Sequence, residues 1–139
     1  MTHIIQKAFQ FARDKHKGQT RDGGEDYFES HVRKVASTIM SYSSDDEVIA
    51  AAYLHDTLED TQTTLEELTQ EFGERVANLV HELTHEGDKK TGYYFPRLKS
   101  RDAILIKFAD RLCNLSDMGS WDKERQEQYL RKSKFWRSQ

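Results

Sequence analysis

Apolar residues recur at intervals of three and four along most of this chain, which is the spacing of one face of an α-helix. The clearest run is formed by Val76, Leu79, Val80 and Leu83. No segment alternates between apolar and polar residues over any length, as a half-buried strand would. The pattern therefore predicts an all-α helical bundle of about seven helices. They are expected at about residues 4–17, 28–41, 46–60, 65–72, 74–84, 97–118 and 122–136.

Turn and capping residues separate these helices. Residues 18–26 contain three glycines and are predicted to form a loop, as are residues 85–95, which are polar and then aromatic. Ser44 and Thr64 each precede a glutamate by three residues, the arrangement of a capping box at the start of a helix. The chain shows no repeat and no linker, so we expect a single domain over residues 1–139.

The third predicted helix changes character abruptly. Residues 50–54 are almost entirely apolar, as in a buried helix, but the next six hold one histidine and three carboxylates. Burying such groups without partners costs several kcal/mol, so they are usually paired or bound to metal. If the helix continues, these groups lie toward one side of it, which predicts a divalent-cation site with acid–base carboxylates beside it. The groups are His55, Asp56, Glu59 and Asp60.

A second unusual helix lies at residues 104–115. It is apolar except for a stripe at positions i, i+3, i+4 and i+7, formed by Lys107, Asp110, Arg111 and Asn114. On an ordinary amphipathic helix this stripe would face solvent. Here it is narrower than the apolar surface, which favours a polar edge against a cleft. The stripe offers a carboxylate ligand, two cations for phosphate and an amide for a base or sugar.

These groups together indicate hydrolysis of a phosphate ester. A bound divalent cation lowers the pKa of a coordinated water toward ~7, and the resulting hydroxide can attack phosphorus. One of Glu59 and Asp60 would orient that water and accept its proton, and the other would hold the pair in place or serve the leaving group. The alternative is an exposed helix end that is merely acidic, although acids at a helix C-terminus oppose the helix dipole.

Composition narrows the choice of partners and location. The formal net charge of −3 gives no electrostatic case for binding nucleic acid. No stretch approaches the ~18 apolar residues of a membrane span. The N-terminus lacks a signal-peptide pattern, so we expect a cytoplasmic protein without membrane contact. Residues 119–139 are basic and aromatic, and we expect them to pack on the bundle or to join two copies in a homo-oligomer.

The two polar motifs resemble those of the HD-domain metal-dependent phosphohydrolases. Within that superfamily they look most like the hydrolase domain of the RelA/SpoT type, including its small stand-alone alarmone hydrolases. The resemblance runs from about Ala8 to Met118. Its main segments are His16-x-Gly18-Gln19-x-Arg21, His31 with Val35-Ala36, His55-Asp56-Thr57-x-Glu59-Asp60-Thr61, Phe72-Gly73-x-x-Val76 and Ala109-Asp110-Arg111-Leu112-x-Asn114-Leu115.

This resemblance implies a metal, usually manganese, and a nucleotide substrate. The ligands it implies are His31, His55, Asp56 and Asp110. The catalytic residues it implies are Glu59 and Asp60, and the nucleotide contacts are Arg21, Lys107, Arg111 and Asn114. In the family, the reaction removes pyrophosphate from the ribose 3′ position of guanosine tetra- or pentaphosphate, (p)ppGpp. The remaining histidines are expected to have structural or surface roles, namely His3, His16, His81 and His85.

Three positions depart from the family pattern. Val32 follows the first ligand where the family usually has proline, and Cys113 stands where it often has histidine. Asp22 follows Arg21 where the family often has lysine, which replaces a cation with an anion and bears on the choice of substrate. Two alternatives therefore stay open. One is a phosphatase on another nucleotide, such as the 2′-phosphate of NADPH or a nucleoside monophosphate, and the other is a catalytically inactive nucleotide-binding sensor.

Overall fold

The computed structural model describes residues 2–21, 23–88 and 90–117. The predicted helix at 122–136 lies outside these residues. Within them the chain is mainly helical, so the prediction of an all-α architecture is confirmed. In chain order the elements are α1 (His3–Lys15), a π-helical turn (Phe28–Val32) that leads into α2 (Arg33–Met40), α3 (Asp46–Leu54), α4 (Thr57–Asp60), α5 (Leu65–Phe72), α6 (Glu74–Glu82), β1 (Glu86–Asp88), β2 (Gly92–Tyr94) and α7 (Arg101–Asp117).

Helix α3 forms the centre of the bundle. Every residue from Val48 to Leu54 is buried, and a helix that is apolar on all sides is stable only when other elements surround it. Helices α1, α2 and α6 pack around α3, while α7 lies against α2 and α5 pairs with α6. Among the described residues, no helix combines the length and apolar character needed to cross a bilayer.

The helix starts follow the capping residues, with one correction. Thr64 caps α5 as predicted, because its hydroxyl accepts a hydrogen bond from the N–H of Glu67 at 3.1 Å. The cap of α3 is Asp45 and not Ser44. Its carboxylate accepts from the N–H of Glu47 at 3.0 Å and also binds the guanidinium of Arg75 at 2.8 Å.

The helix predicted over residues 46–60 is interrupted, so the expectation of one continuous helix is wrong. Helix α3 ends at Leu54, and α4 starts at Thr57. Two side chains donate hydrogen bonds to carbonyl groups at the end of α3. The imidazole Nδ1 of His55 donates to Ala52 O at 2.7 Å, and the Thr57 hydroxyl donates to Leu54 O at 2.8 Å. Such side-chain bonds compete with the helical pattern and end it. The chain turns at His55 and Asp56, and both remain buried.

The loop predicted at residues 85–95 contains a short antiparallel hairpin, and the helix predicted at 97–118 begins four residues later than expected, at Arg101. Strands β1 and β2 pair Glu86 with Tyr94. They are too short for alternating polarity to show in the sequence. At the start of helix α7, the hydroxyl of Ser100 accepts the N–H of Ala103 at 3.1 Å, which is the hydrogen bond of a helix N-cap.

Candidate metal centre and active site

Four buried side chains from separate parts of the chain converge in the interior. One nitrogen or oxygen atom from each lies within 4.8 Å of the corresponding atoms of the other three. His31 comes from the π-helical turn, His55 and Asp56 from the break between α3 and α4, and Asp110 from the middle of α7. Two imidazoles and two carboxylates are a donor set that suits a divalent transition metal.

Local backbone irregularities deliver three of the four groups. His31 lies in a π-helical turn, a rare widening of the helix that occurs often at functional sites. Its Nε2 is 2.8 Å from Asp110 Oδ1 and 3.7 Å from Asp56 Oδ2. His55 and Asp56 lie in the turn that separates α3 from α4. Only Asp110 belongs to an uninterrupted helix.

The hydrogen bond of His55 tests whether a cation fits this site. Because Nδ1 donates to the Ala52 carbonyl, the neutral ring carries its proton on Nδ1 and presents a lone pair at Nε2. That buried Nε2 has no aligned hydrogen bond among the described residues, although Asp56 Oδ2 lies 3.0 Å away and Asp110 Oδ1 3.5 Å away. A lone pair facing two carboxylates repels them unless a positive charge stands between.

The pKa values of the clustered groups also indicate that the site binds a cation. Burial alone would lower the pKa of His55, but the carboxylates of Asp56 and Asp110 raise it well above its ordinary value. Despite burial, His55 holds the pKa of Asp56 well below the usual range of a carboxyl group. The cluster thus attracts a cation, either a proton on His55 or a divalent metal, and the residues present fit a metal.

Two polar side chains, Tyr27 and Lys107, form hydrogen bonds to the carboxylates of Asp56 and Asp110. The hydroxyl of Tyr27 donates a short hydrogen bond to Asp56 Oδ2, and burial followed by the charge of Asp56 raises the pKa of Tyr27, so the hydroxyl keeps its proton. The ammonium of Lys107 lies 3.2 Å from Asp110 Oδ2. Partners of this kind fix ligand orientation and tune the affinity for metal.

Glu59 and Asp60 lie on α4, directly after the metal-ligand cluster. Burial, and then the negative charge of Asp56, raises the pKa of Glu59 to about 7. The same two causes raise the pKa of Asp60 to about 6. Both carboxyl groups therefore exchange protons near neutral pH, which is the property that a general acid or base requires.

The residues predicted to contact the nucleotide lie beside the cluster, but Lys107 is buried among protein groups. The guanidinium of Arg21, on the loop after α1, donates to Asn114 Oδ1 on α7 at 3.1 Å and so joins two of these residues. Lys107 was expected to face phosphate. It is buried, binds Asp110 and lies 3.9 Å from the ring centroid of Phe95, while the guanidinium of Arg111 lies 6.0 Å from the same ring. Asp22 lies outside the described residues.

Three neighbours of the site are not among the residues that the sequence predicts for it: Tyr27, His85 and Phe95. Structural or surface roles are predicted for His16 and His85, and the structural role fits His16. His16 is fully buried, with its Nδ1 2.9 Å from Gln19 Oε1 and its ring against Tyr27. His85 contacts Glu59 through its main-chain N–H and its imidazole. Tyr27 directly precedes the helix predicted at residues 28–41, so the sequence assigns it to no helical face. No pattern in the sequence marks Phe95.

The chain is similar in sequence and fold to proteins of a known family. The family model described as "HD domain" matches residues 8–91. A guanosine-3′,5′-bis(diphosphate) 3′-pyrophosphohydrolase of Aquifex aeolicus is 37% identical over 138 residues, covering 93% of this chain and 20% of that protein. One from Xenopus tropicalis, named MESH1, is 37% identical over 145 residues, covering 91% of this chain and 79% of that protein.

A solved structure, titled as a metazoan ortholog of SpoT that hydrolyses ppGpp, superimposes with a TM-score of 0.83 at 31% identity. The alignment covers 96% of this chain and 83% of that one. The bacterial Aquifex relative is much longer, since this chain spans 20% of its length.

Proposed function

The chain belongs to the HD-domain family, among relatives of the SpoT type, and from that premise we propose that it is a metal-dependent (p)ppGpp 3′-pyrophosphohydrolase. The observation that carries the proposal is the cluster of His31, His55, Asp56 and Asp110 within 4.8 Å, one short helix away from two carboxyl groups that titrate near neutrality. The substrate proposed is the one for which these relatives are named.

The four clustered side chains would hold the metal, and we propose Mn²⁺. The lone pair of His55 and its unmet contact at Nε2 support metal binding at this point. When bound, the cation would act as a Lewis acid and lower the pKa of a water molecule at the site. Tyr27 and Lys107 would keep the carboxylates of Asp56 and Asp110 in place during turnover.

Glu59 and Asp60 would carry the protons of the reaction. Water attacks the phosphorus attached to the ribose 3′ oxygen, the P–O bond to that oxygen breaks, and pyrophosphate leaves with a 3′ hydroxyl remaining on the nucleoside. One carboxylate accepts the proton that water loses, and the other, in its acid form, gives a proton to the 3′ oxygen. Two carboxyl groups with pKa values of about 7 and about 6 can share these tasks at neutral pH.

Arg21, Arg111 and Asn114 would bind the nucleotide. Arg21 and Asn114 are already joined across the mouth formed by the first loop and α7. Lys107 would contribute indirectly, because its ammonium compensates the charge of Asp110. Two expectations remain predictions: a single domain over residues 1–139, and contacts between copies through residues 119–139. Residues 119–139 lie outside the part of the chain that the structure describes.

The test is a panel of nucleotides incubated with Mn²⁺ and separated by ion-exchange chromatography. We expect pyrophosphate and GDP from ppGpp, and no orthophosphate from NADPH or GMP. Glu59→Gln should abolish the reaction, whereas the exposed Glu66→Gln serves as the matched control and should leave it unchanged. Orthophosphate released from NADPH or GMP in preference to pyrophosphate from ppGpp would replace this proposal with the phosphatase. No product above the protein-free background, in wild type and Glu59→Gln alike, would favour the inactive sensor.

A further inference from the structure

The carboxyl group of Glu59 is anchored by a segment far away in sequence. Glu59 lies on α4, which has only four residues and so little rigidity of its own. Its Oε2 accepts the main-chain N–H of His85 at 2.6 Å, and the imidazole Nδ1 of His85 contacts the same oxygen. The side chain of Glu59 is 12% exposed. Its orientation is therefore determined from the start of the hairpin and not from α4 alone.

The imidazole of His85 is itself held by aromatic rings. The centroid of Tyr93 lies 4.4 Å from that of His85 at an interplanar angle of 59°, and Phe95 lies 6.2 Å away at 81°. We call His85, Tyr93 and Phe95 the aromatic rim. The ammonium of Lys107 lies over Phe95 and also binds Asp110, so the rim is in contact with the metal-ligand cluster.

The protonation of His85 suits a donor to a carboxylate. Burial, and then the positive charge of Lys107, lowers the pKa of His85, so the ring is neutral at pH 8. A neutral imidazole has one N–H, and a carboxylate oxygen can only accept. With Glu59 ionised, the Nδ1 of His85 must therefore carry the proton, and Nε2 must be bare.

We infer that His85 is the positioning residue for Glu59: its two N–H groups fix one oxygen of the carboxylate and so set the orientation of the catalytic side chain. This inference rests on the proposed function, because it gives a role to a carboxylate of that reaction. His85 does not itself touch the reacting atoms. It acts only through Glu59.

Two substitutions at position 85 separate the donor from the ring, and both keep the main-chain N–H. His85→Phe keeps an aromatic ring against Tyr93 and Phe95 but removes the side-chain donor. His85→Asn loses the ring but places an amide nitrogen the same number of bonds from the backbone as Nδ1. His3→Phe makes the same change at an exposed position and is the matched control.

With ppGpp and saturating Mn²⁺, we expect His85→Phe to lower kcat by about 10- to 100-fold, the loss typical of a misplaced catalytic group. KM should change far less, because the nucleotide contacts are untouched. His85→Asn should recover most of kcat, and His3→Phe should match the wild type. Mn²⁺ affinity should be unchanged in all three variants, and the melting temperature should be unchanged in His85→Phe and His3→Phe. Wild-type kcat in His85→Phe, or equal losses in the Phe and Asn variants, would overturn the inference.

A measurement without catalysis distinguishes this inference from the proposed function. ¹⁵N NMR of the metal-free wild type at pH 8 reports which ring nitrogen of His85 carries the proton. We expect the Nδ1-protonated tautomer, and the Nε2-protonated tautomer would refute the inference whatever the activity. If no nucleotide in the panel were hydrolysed and the Nδ1 tautomer were found, the substrate assignment would fail while the contact between His85 and Glu59 would stand.

Discussion

The metal-ligand cluster and the aromatic rim lie side by side, but they are held in place by different kinds of structure. The cluster is buried within the bundle, and its histidines are fixed by direct contacts such as that of His55 with the Ala52 carbonyl. The rim belongs to a short hairpin on the surface, where Tyr93 is 42% exposed. This contrast predicts that the cluster is a rigid base for the proposed chemistry, whereas the rim adjusts the position of groups that act on it.

The sharpest way to test this contrast is to remove one ligand from the cluster. Asp56→Asn keeps the size of the side chain but removes its charge, so the four donors no longer balance a divalent cation. We expect Mn²⁺ binding measured by calorimetry to be lost, and kcat to fall by about 10³-fold or more. The exposed Asp14→Asn is the control. If Asp56→Asn bound Mn²⁺ as the wild type does, the cluster would not be the metal site.

A milder change leaves the ligands but removes their support. Tyr27→Phe deletes the hydroxyl that donates to Asp56 Oδ2 and retains the ring. Loss of such a partner typically weakens metal affinity by about 10- to 100-fold. We expect that shift in the Mn²⁺ dissociation constant, with activity restored at high Mn²⁺. Unchanged affinity would mean that the backbone alone fixes the cluster.

Glu59 lies between the metal-ligand cluster and the aromatic rim. Its titration can be followed through the pH dependence of the unfolding free energy. The pKa of Glu59 is raised from 4.5 to about 7, so the metal-free protein loses stability as pH rises between these two values, where the unfolded chain releases a proton that the folded protein still holds. Glu59→Gln avoids that loss. We expect the unfolding free energy of the variant, relative to the wild type, to increase by about 2 kcal/mol between pH 5 and pH 8, measured by urea unfolding.

The opposite sign, or no dependence on pH, would contradict the buried environment assigned to Glu59. Glu66→Gln should show no such difference, because Glu66 is exposed on α5. Added Mn²⁺ should reduce the effect, since a cation near Asp56 removes part of the negative charge that raises the pKa of Glu59.

The smallest effect is expected in the rim. Phe95→Leu removes the ring that faces the cations of Lys107 and Arg111, a contact worth about 0.5–1 kcal/mol at a partly exposed site. We expect kcat/KM to fall by about 3- to 5-fold with Mn²⁺ affinity unchanged, and Phe95→Tyr to behave as the wild type. A loss as large as that of Asp56→Asn would erase the distinction between cluster and rim.

The contrast between the cluster and the rim also explains which site residues could be predicted from the sequence. His55, Asp56, Glu59 and Asp60 are neighbours in the chain, and Asp110 interrupts an apolar helix, so local polarity was enough to single them out. His31 lies 79 residues from its partner Asp110, and only the family resemblance selected it among six histidines.

The rim could not be predicted, for a physical reason. His85 reaches Glu59 because a hairpin of two three-residue strands brings it there, and such strands are too short to leave a periodic signal. The buried position of Lys107 was also missed, because polarity along a helix gives the face of a side chain but not the neighbour that covers it. Both depend on contacts between segments distant in the chain.

The interruption after Leu54 has a consequence for transplanting this centre into another scaffold. On a straight helix, consecutive side chains diverge by about 100°, so residues in the places of His55 and Asp56 would point in different directions. Here the helix is interrupted at these two residues, and one atom of each side chain lies within 4.8 Å of the corresponding atom of the other. A designer who grafts the two side chains would therefore need to transfer the interruption between α3 and α4 together with them.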